Sequence, residues 1–230
     1  MSSILEISEL SYFIGELELL NSVSFSLNIG ESLALIGKNG AGKTTLLNCL
    51  TGYFNKSKGN VKWKGQNIES IPGKELAKIV SYCGSAPKPF YSCSVLDMIL
   101  FGRSANADFW GNYSENDVKL AHKYSEMFEL TNLLERNYSD ISLGEMQRVN
   151  LAMTMVAETE ILLLDEPTSH LDPYHQKKLI CNLKKMCNEK KVGVLAVLHN
   201  ISHAMFFDRV IVLDQNKITL EGKPGEVLVE

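Results

Sequence analysis

No stretch of this sequence approaches the ~20 consecutive apolar residues that a helix needs to cross a bilayer, and its first residues lack the charged-then-apolar plan of a secretory signal. Any membrane role therefore needs partner chains. Cysteine is sparse and odd in number: Cys49, Cys83, Cys93, Cys181 and Cys187 show no C-x-x-C spacing. That argues against a disulfide framework or a zinc site and for reduced thiols in a cytosolic setting. Cationic excess is missing too. With 23 Lys and Arg against 27 Asp and Glu the net charge is -4, whereas nucleic-acid binding is dominated by cationic contacts with phosphates, so no nucleic-acid partner is expected. There is no internal repeat, no low-complexity segment, and no glutamine between Gln66 and Gln147. The length of 230 residues suits one domain.

What is present begins with Gly37-Lys38-Asn39-Gly40-Ala41-Gly42-Lys43-Thr44-Thr45, directly after the apolar run Ser32-Leu33-Ala34-Leu35-Ile36. A glycine-rich turn between a buried strand and a helix is a phosphate-gripping loop. Gly40 and Gly42 lack Cβ atoms, so the backbone can wrap phosphate oxygens and aim successive N–H groups at them, beside the positive end of the following helix. Lys43 is expected to reach the β- and γ-phosphates, from a solvent-open position when no nucleotide is bound. Thr44 offers the hydroxyl that such sites use for Mg²⁺.

A second run, Ile161-Leu162-Leu163-Leu164-Asp165-Glu166-Pro167, reads as a strand buried on both faces that ends in adjacent carboxylates. Asp165 is expected to bind Mg²⁺, through water. Glu166, on the other side of the strand end, is placed to orient and deprotonate an attacking water.

With these motifs on the page the chain resembles the ATP-binding cassette ATPases over nearly its whole length. Ile141-Ser142-Leu143-Gly144-Glu145-Met146-Gln147-Arg148-Val149 is similar to that family's signature, Ser169-His170-Leu171-Asp172 to its D-loop, and Val197-Leu198-His199-Asn200 to its switch-histidine segment. The resemblance implies an ATPase whose catalytic groups are Glu166, His199 and Lys43. It implies a homodimer that sandwiches ATP, with Ser142, the Gly144 N–H and Glu145 reaching the nucleotide of the partner. Finer marks point to the importer ATPases for iron chelates, haem and cobalamin: Ser94-Val95-Leu96-Asp97, Phe101-Gly102-Arg103, and Tyr138-Ser139-Asp140 ahead of the signature. A subunit of that kind sits peripherally on the cytoplasmic face of the membrane and binds integral-membrane permease subunits, with an extracytoplasmic solute-binding protein delivering the solute. Tyr91, Val95, Met98 and Phe101 are candidates for the floor of a groove that receives a permease helix, or else ordinary core. A cytosolic ATPase of the iron–sulfur assembly type and an exporter ATPase remain open alternatives.

The fold class expected is α/β: a P-loop NTPase (RecA-like) core at about residues 1–85 and 151–230, with an N-terminal antiparallel β region and an inserted helical lobe at about 86–150. Ile4 to Leu10, Ser22 to Asn28, Val61 to Lys64 and Ile79 to Cys83 read as strands. Ser94-to-Asp97 and Ser114-to-Asp117 read as capping boxes, Ala105 to Tyr113 as a loop, and Asp208 to Leu213 with Lys217 to Leu220 as a hairpin around Gln215-Asn216.

Three positions depart from the family pattern. Ile14 stands where an aromatic residue usually stacks on adenine; Tyr12, on the same face by strand alternation, is the substitute if the strand slides. Ser85 stands where the family has a glutamine directed at Mg²⁺, and a serine is too short to span that gap unaided. Leu143 replaces a signature glycine, at a cost of about 1–2 kcal/mol if its φ is positive.

Overall fold

The computed structural model describes residues 3–86 and 92–228. Strands β1 (Ser3–Ile14) and β2 (Leu17–Asn28) form a long hairpin, followed by β3 (Ser32–Ile36) and helix α1 (Lys43–Leu50). Next come β4 (Lys58–Trp63), β5 (Gln66–Asn67), α2 (Gly73–Ile79) and β6 (Val80–Cys83), then the helices α3 (Val95–Phe101), α4 (Glu115–Met127) and α5 (Leu143–Val156). The chain closes with β7 (Ile161–Asp165), α6 (Pro173–Lys190), β8 (Gly193–Val197), α7 (Ile201–Ala204), β9 (Arg209–Asp214), β10 (Lys217–Gly222) and α8 (Pro224–Val227).

Two sheets result. One is antiparallel, in the order β2-β1-β4-β5; the other runs β10-β9-β3-β8-β7-β6 and is parallel except for the β9–β10 hairpin at its edge. That hairpin turns at Gln215 and Asn216, both at positive φ (47° and 66°), the backbone a tight two-residue hairpin requires.

Strand alternation divides the central sheet between two cores. Leu33, Leu35, Leu163, Leu195 and Val197 point to the antiparallel sheet and α1, while Ala34, Ile36, Leu162, Leu164, Val194 and Ala196 point to the helices. Residues of α3, α4 and α5 lie in the same apolar cluster as that second face, so the helices 95–156 share a core with the sheet. Both capping boxes form in full: Ser94 and Ser114 each accept from the N–H three residues on, and Asp97 and Asp117 answer in return.

Val95 and Met98 are buried in this core (0% and 2% exposed), which removes two of the four residues expected to floor a groove; Phe101 is 36% exposed and Tyr91 lies outside the described residues. The two tryptophans sit at opposite extremes. Trp63 is fully buried and donates to the Leu50 carbonyl (3.0 Å), whereas Trp110, in the α3–α4 loop, is 83% exposed and packs edge-on against Phe109. All five cysteines are free thiols. Among the described residues no helix is long and apolar enough to cross a membrane.

Candidate functional site

In a parallel sheet every strand ends on the same side, and the loops after β3, β6, β7 and β8 therefore converge beyond one edge. The sequence places the phosphate loop after β3, Ser85 after β6, Asp165 at the last residue of β7 and His199 just past β8.

The loop Gly37-to-Thr45 is held by close backbone approach. A Cβ on Gly37 would stand 2.1 Å from the Leu213 carbonyl oxygen, and one on Gly42 (φ +97°) 2.5 Å from that of Leu19. Only glycine fits either position. Gly42 is also the N-cap of α1, with no side chain capping the helix and no acid in its first turn, so the first N–H groups face outward as an anion site.

Lys43 corrects an expectation. Its side chain is not solvent-open but 7% exposed, and Nζ donates to the carbonyls of Gly37 and Lys38, both at 2.8 Å. Burial lowers its pKa, against the opposing pull of Glu166 and Asp165. Lys38, Asn39, Gly40, Ala41 and Thr45 complete the loop; Leu19, Asn39, Gly40, Gly42, Lys43, Thr44, Thr45 and Glu166 line an open recess of about 370 Å³ at its mouth.

The carboxylates meet the loop. Thr44 Oγ1 donates to Asp165 Oδ2 (2.7 Å), and the Tyr82 hydroxyl lies 3.5 Å from the same oxygen. Asp165 Oδ1 is buried without a partner. Burial raises the Asp165 pKa, Glu166 adds to the rise, and the Thr44 hydrogen bond opposes it. Glu166 follows at φ +50°, a conformation that costs a non-glycine residue of order 1–3 kcal/mol and accumulates at functional sites. Its Oε1 is 2.6 Å from His199 Nε2 and its Oε2 3.3 Å from Ser169 Oγ.

An unpartnered buried carboxylate oxygen beside a threonine hydroxyl fits a hard cation. Among the described residues no group of three or more His, Cys, Asp or Glu side chains could hold a metal by itself. Mg²⁺ suits such a partial donor set, because it is normally bound through one or two protein oxygens, waters and substrate phosphates.

Ser85 lines the same cavity of about 500 Å³ as Thr44, Tyr82, Asp165 and Glu166, with Leu143, Met146 and His170 on its far side. No hydrogen bond joins Ser85 to Asp165 among the described contacts. Ser142 N-caps α5 in a full capping box: its N–H and Oγ donate to Glu145 Oε2 (2.7 Å each), and its Oγ accepts from the Glu145 N–H (3.3 Å). Those bonds hold Glu145 below the usual carboxylate range. Leu143 is the first residue of α5 and has no positive φ, so the strain feared for it does not arise. Gly144 is needed for another reason: a Cβ there would stand 3.0 Å from the His170 carbonyl. Ser142, Gly144 and Glu145 do not line the recess at the phosphate loop of their own chain.

At the base end, the two strand candidates separate. The pairing of β1 with β2 shifts register between Leu10 and Tyr12 and between Tyr12 and Phe13. Tyr12 packs into the core, stacked on Phe54 (5.1 Å, 3°), while Ile14 is 56% exposed at the tip of β1. Tyr12 is thus engaged with Phe54, and Ile14 stands free of the core at the hairpin tip. Sequence reading missed Tyr82 and Ser169. Tyr82 precedes Ser85 on a strand adjacent to β7, which is the available signal; Ser169 opens the D-loop-like run, but the sequence does not indicate its contact with Glu166.

Residues 20–169 match the family model described as ABC transporter. The chain is 35% identical to the hemin import ATP-binding protein HmuV of Deinococcus radiodurans over 230 residues, covering 97% of this chain and 86% of that one. It is 29% identical to the petrobactin import ATP-binding protein FpuD of Bacillus anthracis, covering 100% and 85%. Among solved structures, a nucleotide-free ATP-binding cassette from an ABC transporter superposes with a TM-score of 0.88 at 24% identity, covering 100% of this chain and 96% of that one. A bacterial ABC transporter cassette solved as a dimer gives 0.86 at 24%, covering 96% and 98%.

Proposed function

The chain belongs to the ABC transporter family as an ATP-binding, ATP-hydrolysing subunit, and from that premise we propose that it powers an importer for a metal chelate such as haem or a siderophore, or for a cobalamin-like solute. The hemin and petrobactin importers among its relatives support the solute class. In this reading two copies close around ATP at the cytoplasmic face of the membrane, bound to permease subunits that receive solute from an extracytoplasmic binding protein.

One observation carries the chemistry: beyond the strand ends Thr44 is bonded to Asp165, and the next residue, Glu166, meets His199. The triphosphate would lie on the outward N–H groups of the Gly40-to-Thr45 turn, with Lys43 exchanging its two carbonyl partners for β- and γ-phosphate oxygens. Thr44 and Asp165, with water, would hold Mg²⁺, which neutralises phosphate charge when bound. Glu166 accepts a proton from water as the water oxygen forms its bond to the γ-phosphorus and the bond to the β-phosphate oxygen of ADP breaks. His199, donating from Nε2, holds that carboxylate in place, and Ser169 steadies its second oxygen. Ser142 and Gly144, which do not line the recess at the phosphate loop of their own chain, serve the nucleotide of the partner.

Size-exclusion chromatography of Glu166→Gln with ATP and Mg²⁺ tests the core of this reading. The expected result is an ATP-loaded dimer without turnover. Wild-type hydrolysis by the variant would remove Glu166 as base, and a monomer at saturating ATP would remove the sandwich. Stimulation of ATPase activity by haem or a ferric siderophore, in the reconstituted complex with permease and binding protein, decides the solute.

A further inference from the structure

The reaction assigned above leaves one group beside Asp165 without a role. Tyr82 sits on β6, paired in parallel with β7, and its hydroxyl reaches Asp165 Oδ2 from the side opposite the phosphate loop. Thr44 and Tyr82 thus converge on one oxygen of the carboxylate and leave the other, Oδ1, as the buried atom without a partner.

The approach of the tyrosine is built into the neighbouring backbone. A Cβ on Gly84 would fall 2.8 Å from both Tyr82 Cε1 and its hydroxyl oxygen and 2.9 Å from Cζ. The ring therefore occupies the space that any side chain at 84 would need. Gly84 is itself anchored: the buried Asn150 side chain donates to its carbonyl at 2.8 Å. Ser85, one residue on, is exposed and makes no contact with Asp165 among the described hydrogen bonds. The long side chain that could reach the carboxylate from this edge is the tyrosine.

We propose that Tyr82 is a positioning residue for Asp165, fixing the carboxylate through Oδ2 beside the Thr44 hydroxyl, and that it compensates from this strand edge for the metal contact that Ser85 is too short to make. The inference rests on the reading of Asp165 as a Mg²⁺ carboxylate. At 3.5 Å the bond is long, suited to orienting rather than to tight holding. Beside a carboxylate the phenol O–H is the donor of the pair.

The test uses Mn²⁺ as the spectroscopic probe for Mg²⁺. Electron paramagnetic resonance gives the Mn²⁺ dissociation constant of the purified chain saturated with a non-hydrolysable ATP analogue, and the metal-free affinity for the same analogue is measured beside it. Groups that orient a metal ligand typically contribute 10–100-fold to metal affinity. Tyr82→Phe is expected to weaken Mn²⁺ by about 10-fold, with metal-free analogue affinity and melting temperature unchanged. Gly84→Ala, which drives the ring aside but keeps the phenol, is expected to do the same. Adding Ser85→Gln to Tyr82→Phe is expected to restore Mn²⁺ affinity.

Wild-type Mn²⁺ affinity in Tyr82→Phe overturns the proposal, as does an equal loss of analogue affinity without metal. Failure of Ser85→Gln to restore Mn²⁺ affinity overturns the replacement of Ser85. A wild-type chain that binds the analogue but no Mn²⁺ overturns the reading of Asp165 on which the inference stands, and is told apart by failing before any variant is made.

Discussion

The two ends of the nucleotide site are built on opposite plans. At the phosphate end each group is pinned before any ligand arrives: Gly37 and Gly42 lie against backbone carbonyls, Lys43 holds two more, and Thr44 is bonded to Asp165. At the end where the base is expected, Tyr12 is stacked on Phe54, and an exposed isoleucine stands at the hairpin tip. A loop backbone already held in place binds without the ordering cost that a loose one incurs, although Lys43 must trade its carbonyl partners. The difference therefore assigns most of the affinity to the triphosphate and little to the base, and it predicts poor selectivity between purine nucleotides.

The largest break in that asymmetry is at Glu166. Glu166→Gln should lower the single-turnover rate of ATP hydrolysis by roughly 10²–10⁴-fold, the range for loss of a general base, while ATP binding by filter assay is unchanged. Lys43→Ala comes next. It removes a charged donor worth roughly 1.5–3 kcal/mol per hydrogen bond, so calorimetric titration should show ATP binding weakened by about 10²-fold. Because Lys43 also ties the empty loop, the nucleotide-free variant should melt below the wild type, in contrast to a purely ligand-facing lysine.

Ile14→Tyr sharpens the comparison from the other end. A ring at the hairpin tip should tighten ATP by about 1–3 kcal/mol, the scale of base stacking, and favour ATP over a nucleotide with a less stacking base. Tyr12→Ala should leave ATP affinity unchanged and cost stability instead, through the lost contact with Phe54. No gain from Ile14→Tyr would mean the base lies elsewhere.

The smallest effect expected is in stability. The folded-state pKa of Asp165 is raised, so the folded chain binds that proton more readily than the unfolded chain. Stability of the nucleotide-free protein should therefore fall as pH climbs from the ordinary carboxylate value through the raised one. Asp165→Asn should flatten that part of the profile and raise the neutral-pH melting temperature, while abolishing hydrolysis.

Local chemistry was legible in the sequence wherever a residue type answers to one backbone requirement. The glycine turn, the two-carboxylate strand end, both Ser-x-x-Asp boxes and the Gln215-Asn216 turn all formed as read. What stayed hidden depends on neighbours distant in the chain. Val95 and Met98 carry the same apolar character whether they floor a groove or fill a core, and packing alone decides. Lys43 is buried because its own loop offers two carbonyls at the right distance, which a motif does not reveal. Tyr12 and Ile14 differ because Phe54, distant in sequence, covers the one, and the other stands at the hairpin tip.

The placement of the two tryptophans gives the chain a built-in optical pair. Trp63, at the end of β4 in the antiparallel sheet, sits dry with its indole N–H bonded, and should emit to the blue, shielded from acrylamide. Trp110 stands in water on the α3–α4 loop, and should emit to the red and be quenched freely. Changes in the red component then report what touches the loop ahead of α4, and changes in the blue component report loosening of the antiparallel sheet, so unlabelled protein can be followed at both places in one fluorescence experiment.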